Sequence, residues 1–401
     1  MDLDLSHPAI SDLRDRARRR LPHFVWEYLD SATGDQSSRN RSEEALDSVV
    51  LRPAILAGAP ERDTATRLLG HEYALPVGLA PVGMSGLVWP DAERHLARLA
   101  AEQGLPFCLS NVAAETPEDI GPETGGRGWF QLYPPGDPEI RRDLMRRAKD
   151  AGFHTLILTA DVPVASRRER QRRARLSNPM KVTAPILAQI VQKPAWALGM
   201  ARMGMPRLKT LEPYAKGGAG GARPSTEHIG YLLRCAPDWD YLRAVRDEWD
   251  GPLVVKGVLD PEAAQRLAGL ADAVWVSNHG GRQFEAAPAP AAILPAIREA
   301  VGPDMPVIAD GSIRSGTDIL RLMARGADFV MIGRAVHYGL AAFGPAGAAH
   351  AIHVLREGLL ADMGQMGLAT PSQSRGREMP LPAPTGIGRR AAECGLAFTS
   401  G

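Results

Sequence analysis

Along this chain, short apolar runs closed by turn residues alternate with longer stretches whose apolar residues recur every third or fourth position. Eight of the short runs read as strands: Pro76–Ala80, Pro106–Leu109, Gly128–Leu132, Thr155–Thr159, Pro252–Lys256, Ala273–Ser277, Met305–Ala309 and Asp328–Ile332. They are apolar on successive residues, as strands covered on both faces are. Helical periodicity fills most of the gaps, at Asp91–Gln103, Pro138–Ala151, Pro261–Leu270 and Gly316–Arg325. This alternation predicts an α/β protein whose parallel strands close into a (β/α)8 TIM barrel over residues 71–360. A doubly wound open sheet is the rival, but no GxGxxG follows the first strand.

Three segments stand outside that repeat. Residues 1–70 carry helical patterning at Ile10–Arg20 and Pro22–Asp30, predicting a small N-terminal helical cap. The crossover between the fourth and fifth strands, from Val162 to Gly251, is several times the usual length and contains an insertion at 177–240. Within it Lys181–Met205 is apolar on one side and basic at intervals, with Lys193-Pro194 interrupting it. It reads as an interfacial helix that docks on a membrane surface or as a packing helix or lid, the two weighing evenly. Lys216-Gly-Gly-Ala-Gly-Gly-Ala222 reads as a flexible linker, and 361–401 as a C-terminal tail.

Composition narrows the classes. With 44% apolar residues the chain can fill a large core, and a net charge of +1 offers no attraction for nucleic acid. Cys108, Cys235 and Cys394 are widely spaced with no metal-ligand pattern, so no metal site is expected and a reducing cytoplasm is favoured. The acidic N-terminus has no apolar signal region, and no apolar run is long enough to span a bilayer.

In such barrels chemistry sits where the strands end. In chain order those edges present Ala80-Pro81-Val82, Ser110, Gln131 with Tyr133, Thr159 with Asp161, Lys256, then Ser277 with His279 and Arg282. Asp310-Gly311-Ser312 and Gly333-Arg334 close the set. A base beside a fixed cation, His279 and Arg282, suits proton transfer on a substrate carrying a carboxylate. The glycines between them would let the backbone approach a flat ligand. The small-residue turns at 310–316 and 332–334 open helices, the usual phosphate cup of barrels, with Arg314 or Arg334 adding charge. A satisfied histidine in a glycine-rich turn is the bland account of His-Gly-Gly-Arg; the matching groups on the other strand ends weigh against it.

The stretches Ser277–Gln283 (SNHGGRQ), Gln131-Leu132-Tyr133, LTADVPVASRRER (158–170) and DGSIRSGTD (310–318) resemble the FMN-dependent L-2-hydroxy acid dehydrogenases and oxidases, from Leu21 to about Leu359. The resemblance implies FMN as cofactor and oxidation of a small 2-hydroxy acid, L-lactate first, with mandelate or glycolate open. It implies His279 as base with Asp161 as its partner, Arg282, Arg168, Tyr28 and Tyr133 on the substrate, and Lys256 beside the flavin. Ala80, Pro81, Val82, Ser110, Gln131, Thr159 and Ser277 would contact the flavin ring. Asp310, Gly311, Ser312, Arg314, Gly333 and Arg334 would form the phosphate end. The chain departs from the family at Ser312, where glycine is usual, at Ser31-Ala32-Thr33 and at Val82-Gly83. The cup should tolerate Ser312 if that position needs no positive φ.

The long insertion is similar to that of membrane-associated lactate and mandelate dehydrogenases. That favours a quinone or other respiratory acceptor and a peripheral place on the inner face of the cytoplasmic membrane. A soluble oxidase releasing hydrogen peroxide is the alternative, and a homotetramer is what the family suggests. A non-redox barrel sharing only the phosphate cup, or a silent flavin-binding scaffold, would have no reason to keep Asp161, Arg168, His279 and Arg282 together.

Overall fold

A computed structural model describes residues 2–175, 183–216 and 234–380. Eight parallel strands close a barrel in chain order: β3 (Val77–Leu79), β4 (Phe107–Ser110), β5 (Gly128–Leu132), β6 (Thr155–Thr159), β7 (Leu253–Val258), β8 (Ala273–Val276), β9 (Val307–Asp310) and β10 (Phe329–Ile332), with β10 pairing back onto β3. All eight coincide with the runs expected from the sequence, with ends shifted by at most two residues. Helices on the outside are α5 (Ala92–Glu102), α6 (Pro117–Ile120), α7 (Pro138–Asp150), α11 (Trp239–Glu248), α12 (Pro261–Arg266), α13 (Pro290–Val301), α14 (Gly316–Ala324) and α15 (Arg334–Phe343). The long α16 (Pro345–Gln365) runs through the boundary expected at 360, and the chain beyond it folds back, Met379 N donating to Val50 O at 2.8 Å.

Strand periodicity explains the mouth. Successive side chains alternate between lumen and helix layer. Cys108, Trp129, Ile157, Val254, Trp275 and Ile308 pack together inside the barrel. The residues two positions further along each strand therefore also face inward, one layer higher. They are Ser110, Gln131, Thr159, Lys256, Ser277 and Asp310, all buried polar groups.

The opposite end is plugged by a hairpin that the sequence pattern did not suggest, β1 (Thr66–Leu68) and β2 (His71–Tyr73). Leu68 and Tyr73 enter the lumen cluster, and Trp129 Nε1 donates to Tyr73 Oη at 3.1 Å. The turn holds both Leu69 (φ 50°) and Gly70 (φ 82°) in the left-handed region. Hairpin turns of this kind usually announce themselves with Asn-Gly or Asp-Gly, and leucine conceals the signal.

The cap consists of α1 (Leu3–Ser6), α2 (Ile10–Arg20), α3 (His23–Asp30) and α4 (Ser37–Asp47). Helix α2 buries Ile10, Leu13 and Ala17 on one stripe, and Asp12 accepts from the Ala9 amide to cap it. Helix α4 was not expected, because its sequence SSRNRSEEALD has little apolar periodicity; besides Leu46 it buries Ser38, Arg39 and Ser42. The crossover after β6 carries α8 (Glu169–Arg173), and the insertion contributes α9 (Ala184–Val191) and α10 (Pro194–Met203). Lys193-Pro194 does divide Lys181–Met205, proline taking the first position of α10. The glycine-rich stretch after Lys216 lies outside the described residues. No helix among the described residues is long and apolar enough to cross a membrane.

Candidate active site

The His279 ring stands at the centre of the mouth. Its Nδ1 lies 3.2 Å from both carboxylate oxygens of Asp161, and its Nε2 lies 3.3 Å from Tyr133 Oη. Burial lowers the imidazole pKa, and Asp161 opposes that shift. Burial works the other way on Asp161, yet His279 and Lys256 hold its carboxyl below the usual range. At neutral pH this gives a carboxylate facing Nδ1 and leaves Nε2 free to take a proton. The pair meets closely because Gly257 interrupts β7 with φ 101°; a Cβ there would lie 2.4 Å from Asp161 Cβ.

His279 itself has φ 57°, an uncommon conformation for a residue with a side chain. The two glycines that follow are in close contact with the rest of the protein. A Cβ on Gly281 would lie 2.8 Å from the Arg39 amide nitrogen on α4, and one on Gly280 would lie 3.1 Å from the Arg334 guanidinium. They bring the loop against the cap. Asn278 locks it there, its Nδ2 donating to Ser42 Oγ at 2.7 Å and to Ser38 Oγ at 3.2 Å.

Three cations surround this centre. Lys256 Nζ donates to Ser277 Oγ at 2.9 Å and lies 3.6 Å from Asp310 Oδ2. Burial disfavours its charge, but Asp310 and Asp161 outweigh that and keep the amine protonated. Arg282 donates to the carbonyls of Tyr28 (2.8 Å) and Ser31 (3.1 Å), and its guanidinium lies over the Tyr28 ring at 5.6 Å. Arg168, at φ 46°, donates from Nε to Ser166 Oγ at 3.1 Å. Burial first, and then the charges of Arg168 and Arg334, lower the Arg282 pKa. Clustered guanidiniums of this kind favour an anion between them.

Tyr28 reaches the mouth from α3, where its hydroxyl accepts from the Met84 amide at 3.1 Å. A Cβ at Gly83 would stand 3.2 Å from that hydroxyl, so the Val82-Gly83 departure makes room for it. Asp30, fully buried at the end of the same helix, accepts from Arg14, Arg39, Arg170 and Tyr338. Nothing in the sequence pattern singles out this hub, since its four donors come from four separate elements. The Ser31-Ala32-Thr33 turn is held by it and by the bond from Thr33 N to Gly281 O (3.0 Å).

A row of hydroxyls and amides lines the remaining wall. Ser110 Oγ donates to Gln131 Oε1 at 2.5 Å, and Gln131 Nε2 donates to Thr159 Oγ1 at 2.9 Å. Beyond it Gly311 (φ 110°) and Ser312 (φ 60°) turn sharply into α14. Ser312 therefore does occupy the left-handed region, contrary to the condition on which its replacement of glycine was expected to be harmless. The amides of Arg314 and Ser315 go to Asp318 Oδ2 at 2.9 and 3.0 Å. Arg314 pairs with Glu43 at 2.7 Å, and Arg334 donates to the carbonyls of Leu29, Gly280 and Ser31. Both arginines thus tie the mouth to the cap. Helix α15 has Gly333 at its N-cap and no side-chain cap, leaving its first turn open to an anion.

Fold and mouth together define a barrel enzyme that binds a phosphorylated cofactor beside a buried acid–base pair. The chain belongs to the FMN-dependent dehydrogenase family, whose model matches residues 17–379. An L-lactate dehydrogenase of Caulobacter vibrioides is 42% identical over 347 residues, which cover 86% of this chain and 90% of that protein. One from Pseudomonas aeruginosa is 38% identical over 351 residues, covering 87% and 92%. A crystal structure of the monotopic membrane protein (S)-mandelate dehydrogenase superposes with a TM-score of 0.85 at 32% identity, over 92% of this chain and 97% of that one. FMN is the cofactor, and the residues at the mouth suit it. Lys256 would supply a buried cation, the Ser110–Gln131–Thr159 row would supply ring partners, and the uncapped first turn of α15 would suit a phosphate. Asp310 Oδ1 is buried with no partner among the described residues, an acceptor that a ribityl hydroxyl would satisfy.

Proposed function

We propose that the protein oxidises an L-2-hydroxy acid, L-lactate first, to the 2-keto acid. The observation that carries the reading is the position of His279 between Asp161 and Tyr133, next to the mutually repelling Arg168 and Arg282. Those two arginines hold the substrate carboxylate, and Tyr28 closes that side. His279 Nε2 takes the proton that leaves the substrate, and Asp161 steadies the imidazolium that forms. Tyr133 holds the substrate oxygen. FMN, when bound, takes up the two electrons. General-base catalysis of this kind contributes roughly 10²–10⁴-fold. The test is the visible spectrum of the anaerobic holoprotein before and after L-lactate. Bleaching of the flavin band supports the reading; a band unchanged by lactate, mandelate and glycolate alike refutes it.

The same proposal places the electron acceptor in or near a membrane, as a quinone or other respiratory carrier. Its support is the outer face of α9 and α10, where Leu187, Val191, Leu198 and Met203 are 52–69% exposed. That four-residue patch lies on a helix pair whose other face is buried, the layout of an interfacial anchor. Oxygen as acceptor is the alternative, and reoxidation rates in air against a soluble quinone analogue separate the two.

A further inference from the structure

Where the insertion returns to the barrel, it brings a further guanidinium to the mouth. Arg234 forms an antiparallel bridge with Pro135, and the next amide, Cys235 N, donates to Pro134 O at 2.9 Å. Tyr241 Oη donates to Pro135 O at 3.0 Å from helix α11, fixing the strand end from its other side. This anchoring sets the Arg234 guanidinium 3.8 Å from the centre of the Tyr133 ring. That is stacking distance, at which a planar cation and an aromatic face attract. The hydroxyl of the same ring is the one that lies 3.3 Å from His279 Nε2.

We propose that Arg234 is a positioning residue for Tyr133: it fixes the ring plane, sharpens the phenol as a hydrogen-bond donor and so aligns it with His279 and the substrate oxygen. The assignment rests on the reaction proposed above. A tyrosine free to swing about its side-chain bonds would spend part of its time off that line, and an adjacent positive charge draws electron density from the O–H. Burial raises the Tyr133 pKa, and the Arg234 charge is the foremost influence opposing it, ahead of Lys256 and Arg168. Nothing in the family resemblance marks residue 234. It sits near the end of the insertion, and only the fold shows which ring it meets.

The experiment is a double-mutant cycle on the FMN-loaded protein with Arg234→Met, Arg234→Lys, Tyr133→Phe and the combination of Arg234→Met with Tyr133→Phe. Arg234→Met should lower kcat about three- to tenfold, the range of a partly desolvated cation–π contact, with KM moved less than about twofold. Arg234→Lys should recover part of the loss. In the Tyr133→Phe background, Arg234→Met should add nothing. An equal loss in both backgrounds, or no loss in either, overturns the proposal. A second readout does not depend on turnover: the ultraviolet difference titration of the Tyr133 phenol should move to higher pH in Arg234→Met, and an unmoved titration also overturns it. If the unmodified protein oxidises no 2-hydroxy acid, the reaction proposed above fails, while the titration still decides whether Arg234 acts on Tyr133. Should Arg234→Met not fold, Arg234→Lys and Arg234→Gln carry the same cycle.

Discussion

His279 holds its left-handed backbone because Ser277 Oγ accepts its amide at 3.0 Å while Gly280 and Gly281 are pinned to the cap. The ring is thus aimed by its own loop, and Asp161 only has to meet it. Asp161 is also what opposes the effect of burial on the imidazole pKa. Activity needs the neutral ring, so kcat/KM should rise with pH through the depressed His279 pKa and level off above it. Asp161→Asn removes the raising influence, and the acid limb should move to lower pH. The plateau should fall by roughly 10²–10⁴-fold, since the imidazolium loses its partner. A pH profile of kcat/KM for both proteins checks this, and an acid limb that moves to higher pH would be the wrong sign. His279→Ala should keep flavin bound and lose its bleaching by substrate. Residue identities at strand ends were legible in the sequence because each lies two positions beyond a lumen-filling apolar residue. Ser312 was not, since its positive φ is imposed by the turn from β9 into α14. The partners of Arg314 and Arg334 were equally hidden, lying on α4 and on loops remote in sequence.

At the scale of elements, the insertion has two faces with different work to do. Its inner face is packed: Trp196 Nε1 donates to Leu87 O at 2.9 Å, and its ring meets Phe24 edge-on with centroids 5.7 Å apart. Gln189 Oε1 accepts from Phe24 N at 3.0 Å, at the start of the helix that carries Tyr28. Those contacts hold α9 and α10 to the cap, so the apolar outer face is presented as a fixed surface. Leu187→Ser, Val191→Ser, Leu198→Ser and Met203→Ser together should abolish sedimentation with anionic lipid vesicles and leave flavin bleaching by substrate unchanged. Vesicle binding that survives all four changes would sink the membrane reading. Periodicity exposed the long crossover and its proline break, but could not say which face of Lys181–Met205 turns inward. Both faces carry apolar residues, and the inner one is marked by the burial of Ile186, Trp196 and Met200, with Trp196 meeting Phe24 of the cap. Helix α4 escaped the same reading because, besides Leu46, it packs through serines and an arginine.

Across the whole molecule, one buried carboxyl ties the acid side of the stability curve to the architecture of the mouth. Glu93, on α5, accepts from the Ala114 amide at 3.1 Å and the Gly86 amide at 3.3 Å, joining the loops after β3 and β4. Its other oxygen is buried with no partner among the described residues. Burial pushes its pKa from 4.5 up to about 7. The folded state therefore holds this proton more tightly than the unfolded chain. Its stabilising effect is complete below the unfolded value of 4.5, declines as pH rises to about 7 and is gone above that. The gap between those values corresponds to about 3 kcal/mol, at ~1.4 kcal/mol per pH unit. Glu93→Gln keeps the acceptor for both amides and cannot ionise. The variant should melt with the unmodified protein at pH 5 and several degrees above it at pH 8, at a few degrees per kcal/mol. Net charge of +1 leaves little global repulsion to mask the effect. Asp30 works in the opposite sense: burial pushes its pKa up, but its guanidinium and phenol donors outweigh that and hold it far below the ordinary value, so its contribution survives until strongly acid pH. Thermal melts from pH 4 to pH 9 on the two proteins separate these terms. A constant difference in melting temperature over that range would mean that Glu93 does not change its protonation there, and that the two mouth loops are joined by a permanently charged carboxylate.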